Sequence, residues 1–188
     1  MRITGGRFGG RILKAPATRA IRPSADRLRE ALFNALVHRA DNPVQGADVI
    51  DLFAGTGALG LEALSRGAAS ALFVDNGIEA RSLLRANVEA LGLGGVTRIF
   101  RRDATRLGEA PEPGRFGLAF LDPPYGQGLA PRALLALREG SWLTPGALAI
   151  VEESADVGLD LPEGFIGEER RVYGDTQVVI ASFTAAAR

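Results

Sequence analysis

The residues with the most specific chemistry are Asp122-Pro123-Pro124-Tyr125, directly after the apolar run Leu118 to Leu121. Consecutive prolines lack N–H donors and fix their own backbone angles. The turn they stiffen can present the Asp122 carboxylate and the Pro123 carbonyl as two fixed acceptors. An exocyclic amine on an aromatic base is a poor nucleophile, because its lone pair is delocalised into the ring. Two acceptors on its N–H bonds draw the nitrogen towards tetrahedral geometry and free that lone pair for an incoming methyl group. Asp122 can also take the proton that is shed, and Tyr125 offers an aromatic face to the base. The competing reading is a proline-stiffened loop without chemistry. Its position at a strand end, facing the same crevice as the motif described next, argues against that.

That second motif is Asp51-Leu52-Phe53-Ala54-Gly55-Thr56-Gly57-Ala58-Leu59-Gly60. Gly55, Gly57 and Gly60 have dinucleotide-fingerprint spacing between a strand and a helix, where bare backbone lets a ligand approach. Asp51 changes which ligand fits. A carboxylate there repels a pyrophosphate and attracts an ammonium. S-adenosylmethionine carries an ammonium and a sulfonium and no phosphate. Asp51, Phe53, Ala54, Gly55 and Gly57 are therefore expected to bind this cofactor. Asp75 lies 18 residues beyond Gly57, near the roughly 20-residue offset at which an acid holds ribose hydroxyls. Asp103, with Ala104 beside it, falls where an adenine amino group could be read; a helix N-cap is the alternative.

These residues require a frame. Asp48 to Phe53, Ala69 to Asp75, Val96 to Phe100, Leu118 to Leu121 and Ala147 to Glu152 read as buried strands. Leu59 to Arg66, Ile78 to Leu91 and Leu129 to Leu137 read as helices between them. Strand–helix alternation with near-continuous apolar strands predicts a parallel sheet covered on both faces. Glu168 to Tyr173 and Gln177 to Phe183 predict a hairpin turning at Gly174-Asp175, and Thr184 to Arg188 a frayed end. The fold expected is a Rossmann-like α/β domain of seven strands, mainly parallel, with an antiparallel element at the C-terminus. Before it, Gly9-Gly10 marks a short hairpin, Ile21 to Ser24 an extended stretch ending in an N-cap, and Leu28 to Leu36 a helix. Residues 1–40 are read as an arm and helix appended to a methyltransferase domain over 41–188.

Composition narrows the class. The chain of 188 residues has no cysteine, which excludes a disulfide scaffold, a thiolate zinc site and a cysteine nucleophile. No apolar run approaches the roughly 20 residues of a membrane helix, and no apolar core follows the basic N-terminus. A cytoplasmic protein without a metal, acting as a monomer, is the expectation. The formal net charge is zero, yet residues 1–40 hold nine basic and two acidic side chains. Residues 41–188 hold thirteen basic and twenty acidic ones. A cationic end on an anionic body predicts a polyanionic partner at that end, with Arg2, Arg7, Arg11, Lys14, Arg22 and Arg27 as its phosphate contacts. Arg101-Arg102 reads either as a further RNA contact or as a charged strand end. His38, the single histidine, reads as a surface or structural residue. Trp142 reads as a cap on the core or as an exposed stacking platform. Glu152-Glu153 reads as solvated or as paired with the arm.

The acid-proline-proline-aromatic motif is similar to that of methyltransferases acting on adenine, guanine or glutamine amino groups. Ile3 to Arg11, Arg22 to Asn34, Asp51 to Ala68, Asp122 to Tyr125 and Tyr173 to Thr176 together resemble the bacterial 16S ribosomal RNA guanine-N2 methyltransferase family, the RsmD type. The resemblance spans nearly the whole chain. It implies S-adenosylmethionine as cofactor, Asp122 to Tyr125 as the catalytic motif, 16S rRNA in the small subunit as partner, and guanine 966 as the target. Asp75 stands where that family more often has a glutamate, and Gly158 to Gly167 carries little family signal. The rival readings are methylation of adenine N6 or a glutamine amide, NAD-dependent hydride transfer, and an RNA-binding assembly factor without turnover. Asp51 and the lack of an acid–base partner oppose hydride transfer; the intact Asp122 motif opposes the assembly factor.

Overall fold

The computed structural model describes residues 1–16, 23–112 and 115–184. Seven strands form one sheet: β1 Asp48–Leu52, β2 Ser70–Val74, β3 Thr97–Phe100, β4 Phe116–Leu121, β5 Leu143–Ser154, β6 Phe165–Tyr173 and β7 Thr176–Phe183. Their spatial order is β3-β2-β1-β4-β5-β7-β6. The first five run parallel, and β7 pairs antiparallel with both β5 and β6. The expected hairpin is therefore present, turning at Gly174 (φ 60°), with β6 beginning three residues earlier than its pattern suggested. Its return strand slots in beside β5 and leaves β6 at the edge. The charged run Glu168-Glu169-Arg170-Arg171 on β6 suits an edge that must not pair with another chain.

The apolar residues of successive strands divide between the faces. Val49, Phe73, Leu118, Phe120, Leu148 and Ile150 point to one side, under helices α1 (Pro23–Val37), α2 (Ala58–Ser65) and α3 (Ile78–Ala90). Ile50, Leu52, Val74, Ala119, Leu121 and Ala149 point to the other, under α4 (Leu129–Glu139) and the segment after β3. Chain order reverses between β1 and β4, which places a crevice beyond their C-terminal ends.

The short hairpin at the N-terminus forms around a 3-10 turn at Gly6–Phe8, with Arg2 bridging Ile12 and Ile3 N–H donating to the Arg11 carbonyl at 2.9 Å. Its Ile3 and Leu13 are buried in the same core as α2 and the sheet. Several expectations are corrected. Helix α1 starts at Pro23, so Ser24 lies inside the first turn rather than at the cap; proline at the first helical position presets the helical φ. Ile21 and Arg22 lie outside the described residues. β5 starts at Leu143 and carries Pro145-Gly146 within it, next to an irregularity in β4 pairing between Phe116 and Leu118. Thr184 is not frayed, since its N–H donates to the Gly164 carbonyl at 2.8 Å; residues 185–188 lie outside the described residues. Trp142 is fully buried, stacks on Phe116, and donates its indole N–H to the Gly108 carbonyl at 2.8 Å. It caps the core and has no face left for a base.

Candidate active site

The glycine turn connects β1 to α2 and its geometry explains its composition. Phe53 holds left-handed backbone, φ 58°, a conformation that costs a non-glycine residue about 1–3 kcal/mol. The Ala54 N–H donates to the Val74 carbonyl at 3.1 Å, and its own carbonyl accepts from Gly57 N–H at 2.7 Å. A Cβ at Gly57 would come within 2.3 Å of Leu84 Cδ1, and one at Gly60 within 2.4 Å of Phe73 Cε1. Those two glycines are thus required by packing of α2 and α3 on the sheet. At Gly55, φ 56°, a Cβ would meet only the Phe53 carbonyl oxygen, at 3.9 Å, so this is a position where a ligand can reach bare backbone.

Four carboxylates cross the top of the sheet, one from each of four adjacent strands. Asp51 is in β1, Asp75 follows β2, Asp122 follows β4 and Glu152 is in β5. The register pairs Leu52 with Val74 and Leu121, and Leu121 with Val151, so these acids stand near one level. They share the alternation of Val49, Phe73, Phe120 and Ile150, hence the α1–α2 face. Asp51 is buried and accepts the Gly60 N–H at 2.9 Å. Burial pushes its carboxyl well above the usual range, against the Gly60 bond, with Asp122 and Asp75 adding to the rise. A cation arriving beside it would reverse that cost. Asp75 is gripped by two backbone donors, Gly77 N–H at 2.7 Å and Gly55 N–H at 2.9 Å. Each carboxylate oxygen accepts two bonds, so capacity for hydroxyl donors remains.

Asp122, Pro124 and Tyr125 are exposed at the crevice, whereas Pro123 is buried beneath them. Tyr125 is 40 % exposed. Desolvation of its phenol, followed by the nearby Asp122, pushes it up to about 12, opposed by a hydrogen bond with Thr176. A phenol held that high is suited to offer a ring face and not to take a proton. Asp103 is exposed, with its Oδ1 accepting from both N–H and hydroxyl of Thr105, at 2.8 and 2.7 Å; these bonds hold its carboxyl below the ordinary value. Asp103 thus closes a single turn and no helix follows it, so the helix N-cap alternative is not realised; its second carboxylate oxygen carries no bond to Thr105. Ala104 is buried beside it.

The Glu152-Glu153 pair is corrected: neither is solvated, with relative exposures of 8 % and 1 %. Glu153 Oε1 accepts the Gly126 N–H at 2.9 Å and so ties down the turn that carries Tyr125. Burial raises the Glu152 carboxyl to about 8, with Asp122 adding and Arg29 opposing. The sequence carried no signal for either role, because both need β5 laid beside β4. His38 is exposed on the end of the α1 segment, its Nδ1 2.6 Å from the Asn34 carbonyl, away from these groups.

The arm is fastened by residues that the sequence reading passed over. Glu62 on α2 is completely buried and accepts five bonds: Thr4 N–H, Thr4 hydroxyl, Gly5 N–H, and the guanidinium Nε of Arg29 and Arg66. A lone glutamate in the otherwise apolar helix Ala58–Ser65 was a usable signal, since such a charge must be paired when buried. Asn87 on α3 clasps Lys14 through both its backbone N–H and carbonyl, at 2.7 and 3.0 Å, and donates to the Thr56 carbonyl at 3.0 Å. The arm therefore runs directly over the glycine turn. Arg2, Arg7, Arg11 and Lys14 on the arm, and Arg27 on α1, have exposed side chains. Arg22 lies outside the described residues.

Among the described residues, no helix is long and apolar enough to cross a membrane. Known proteins resemble this chain in both fold and sequence. The profile of the family Conserved hypothetical protein 95 matches residues 1–182. "Ribosomal RNA small subunit methyltransferase D" of Escherichia coli K12 is 36% identical over 159 residues, 85% of this chain and 77% of that protein. YlbH of Bacillus subtilis is 35% identical over 186 residues, covering 96% of this chain and 97% of its own. The solved structure of yhhF from Escherichia coli superimposes with a TM-score of 0.82 at 33% identity, over 98% of each chain. With this profile, these identities and the strand order above, the chain belongs to the Conserved hypothetical protein 95 family, the RsmD type, and has the fold of the class I S-adenosylmethionine-dependent methyltransferases.

Proposed function

We propose that this protein methylates the exocyclic N2 amine of a guanine in 16S ribosomal RNA, the family target guanine 966. The observation that carries the reading is the juxtaposition of Asp122 with Asp51 and Asp75 on one face of the crevice. It sets a hydrogen-bond acceptor for an amine beside a site suited to a cationic cofactor. The name of the Escherichia coli relative, a small-subunit rRNA methyltransferase, supports RNA as the substrate.

The residues fit S-adenosylmethionine. Asp51 offers a buried carboxylate to the ammonium, and Gly55 open backbone. Asp75 would accept the ribose hydroxyls, and Asp103 with Ala104 would flank the adenine. Phe53, Ala54 and Gly57 shape the turn beneath. When bound, the cofactor supplies an electrophilic methyl on its sulfonium. Asp122 and the Pro123 carbonyl would accept the two N–H bonds of the amine, and Asp122 would hold the proton released. Pro124 keeps that turn rigid and Tyr125 stacks on the base, which must leave its helix to reach the motif. Arg2, Arg7, Arg11, Lys14, Arg22 and Arg27, from the element over 1–40, would neutralise phosphates and position the RNA without reading its sequence. We place the reaction in the cytoplasm, with the chain acting as a monomer on the small subunit. Mass spectrometry of 16S rRNA from cells with and without the gene tests this reading. Loss of N2-methylguanosine supports it; loss of a methyladenosine, or of a protein glutamine methylation, would transfer the same motif to a different amine.

A further inference from the structure

We propose that a second arginine cluster, Arg101, Arg102, Arg106 and Arg132, grips RNA on the sheet face opposite the arm. The substrate strand then crosses the crevice from one face to the other, with its target base inserted between. The inference rests on RNA being the substrate, and goes beyond it by saying where the two flanks lie.

Three observations support it. The four arginines come from two elements: Arg101, Arg102 and Arg106 from the segment after β3, and Arg132 from near the start of α4. All four side chains are exposed. Arg106 and Arg132 both act electrostatically on Asp103 from these separate elements, so they share one patch at the crevice rim. Arg102 is fixed in place by donating to the Leu107 carbonyl at 2.6 Å and by lying 5.3 Å from the Phe100 ring centre.

The second observation is which face they occupy. Ala104, Leu107, Ala130 and Ala133, the apolar neighbours of these arginines in sequence, pack in the core under α4. The arm's Ile3 and Leu13 pack in the opposite core, under α1 and α2. The third is the charge of what lies between. Asp75 and the exposed Asp122 form a short acidic row at the crevice that repels a phosphate backbone. A polyanion can approach such a row only if it is held at the sides, and cations on both faces supply that. The carboxylates in the segment after β3 are Asp103, held by Thr105, Glu109, and Glu112, which pairs with Arg115 and Arg98.

The absence of cysteine from the chain makes the test direct. Arg132→Cys and Arg7→Cys each introduce a single exposed thiol, to be labelled with a photoactivatable cross-linker. The labelled full-length proteins are irradiated on small ribosomal subunits from cells lacking the gene, and the cross-linked nucleotides are mapped. The expected result is cross-links from the two positions on opposite flanks of the nucleotide the enzyme methylates. Cross-links on the same flank, or from Arg7→Cys alone, would overturn the two-faced grip while leaving RNA methylation intact. Failure of wild type to methylate or bind these subunits would remove the RNA reading and the grip with it. Arg101→Ala/Arg106→Ala supplies an independent measure: the slope of log affinity against log salt should fall by about 0.7–0.9 per lost phosphate contact, and an unchanged slope and affinity would contradict the proposal.

Discussion

Asp122 follows β4, Glu152 lies in the neighbouring parallel strand β5, and the two have opposite surroundings. Asp122 is exposed at the crevice, whereas Glu152 is buried under α1 with Arg29 nearby. Two carboxyl groups whose environments separate their proton affinities can take different roles. In the proposed reaction Asp122 is the acceptor needed as charge develops on the amine. Asp122→Ala should therefore lower kcat about 100-fold or more, while cofactor affinity stays within a few-fold. Single-turnover methylation with calorimetric cofactor binding measures both, and a near-normal rate would oppose the assignment. Glu152 has its carboxyl raised to about 8 by burial and by Asp122. A folded-state value above the unfolded one favours folding while the group is protonated. That stability is complete below the unfolded value and is lost as pH rises through about 8. The melting temperature of wild type should thus decline between pH 5 and 8.5 relative to Glu152→Gln, with the two converging under acid conditions. A difference independent of pH would show that Glu152 is ionised throughout.

At the level of elements, the arm and helix α2 form one unit through Glu62. Its five donors come from the arm, from α1 and from α2 itself. The arm's cations are thereby aimed outwards while its backbone is held against the glycine turn by Asn87. This separation of tasks predicts a selective phenotype. Arg7→Ala/Arg11→Ala/Lys14→Ala should weaken RNA binding and flatten its salt dependence, by about 0.7–0.9 log units per lost contact. Cofactor affinity should be unchanged, since the clasp uses the backbone of Lys14 and not its ammonium. RNA affinity across a salt series, for wild type and the triple variant, decides it. Parallel slopes with equal affinities would make the arm a structural hairpin only.

Taken whole, the molecule hides the arm's origin as a basic extension. Ile3 and Leu13 are completely or nearly completely buried, in the core shared by α1, α2 and the central strands. Each such side chain is worth about 1.5–3 kcal/mol of burial. Deleting residues 1–16 would also leave Glu62 buried beside fewer donors. In a domain of this size 1 kcal/mol corresponds to about 2–4 °C in Tm. The truncated chain should melt about 10 °C or more below the full one, in a single transition for both. A truncation that kept the wild-type Tm would mean the arm is a removable attachment.

Local pattern carried most of the architecture. Apolar strand runs, helical spacing and the glycine turn are properties of consecutive residues, so β1 to β4, the helices and the C-terminal hairpin were legible directly. So were the positions of Asp51, a charge inside an apolar strand run, of Asp75, which closes one, and of the Asp122 motif, because two prolines constrain their own backbone. What tertiary structure decided depends on residues distant in sequence becoming neighbours. The insertion of β7 between β5 and β6 is one case. The burial of Glu152 and Glu153 is another: on the strand pattern they were simply charges at its end, and only the adjacent Asp122, Arg29 and Gly126 turn give them environments. Glu62 acquired its partners in the same way, from the arm and α1. The faces on which the two groups of arginines lie were likewise invisible in the sequence, since charge is counted along the chain but acts through space.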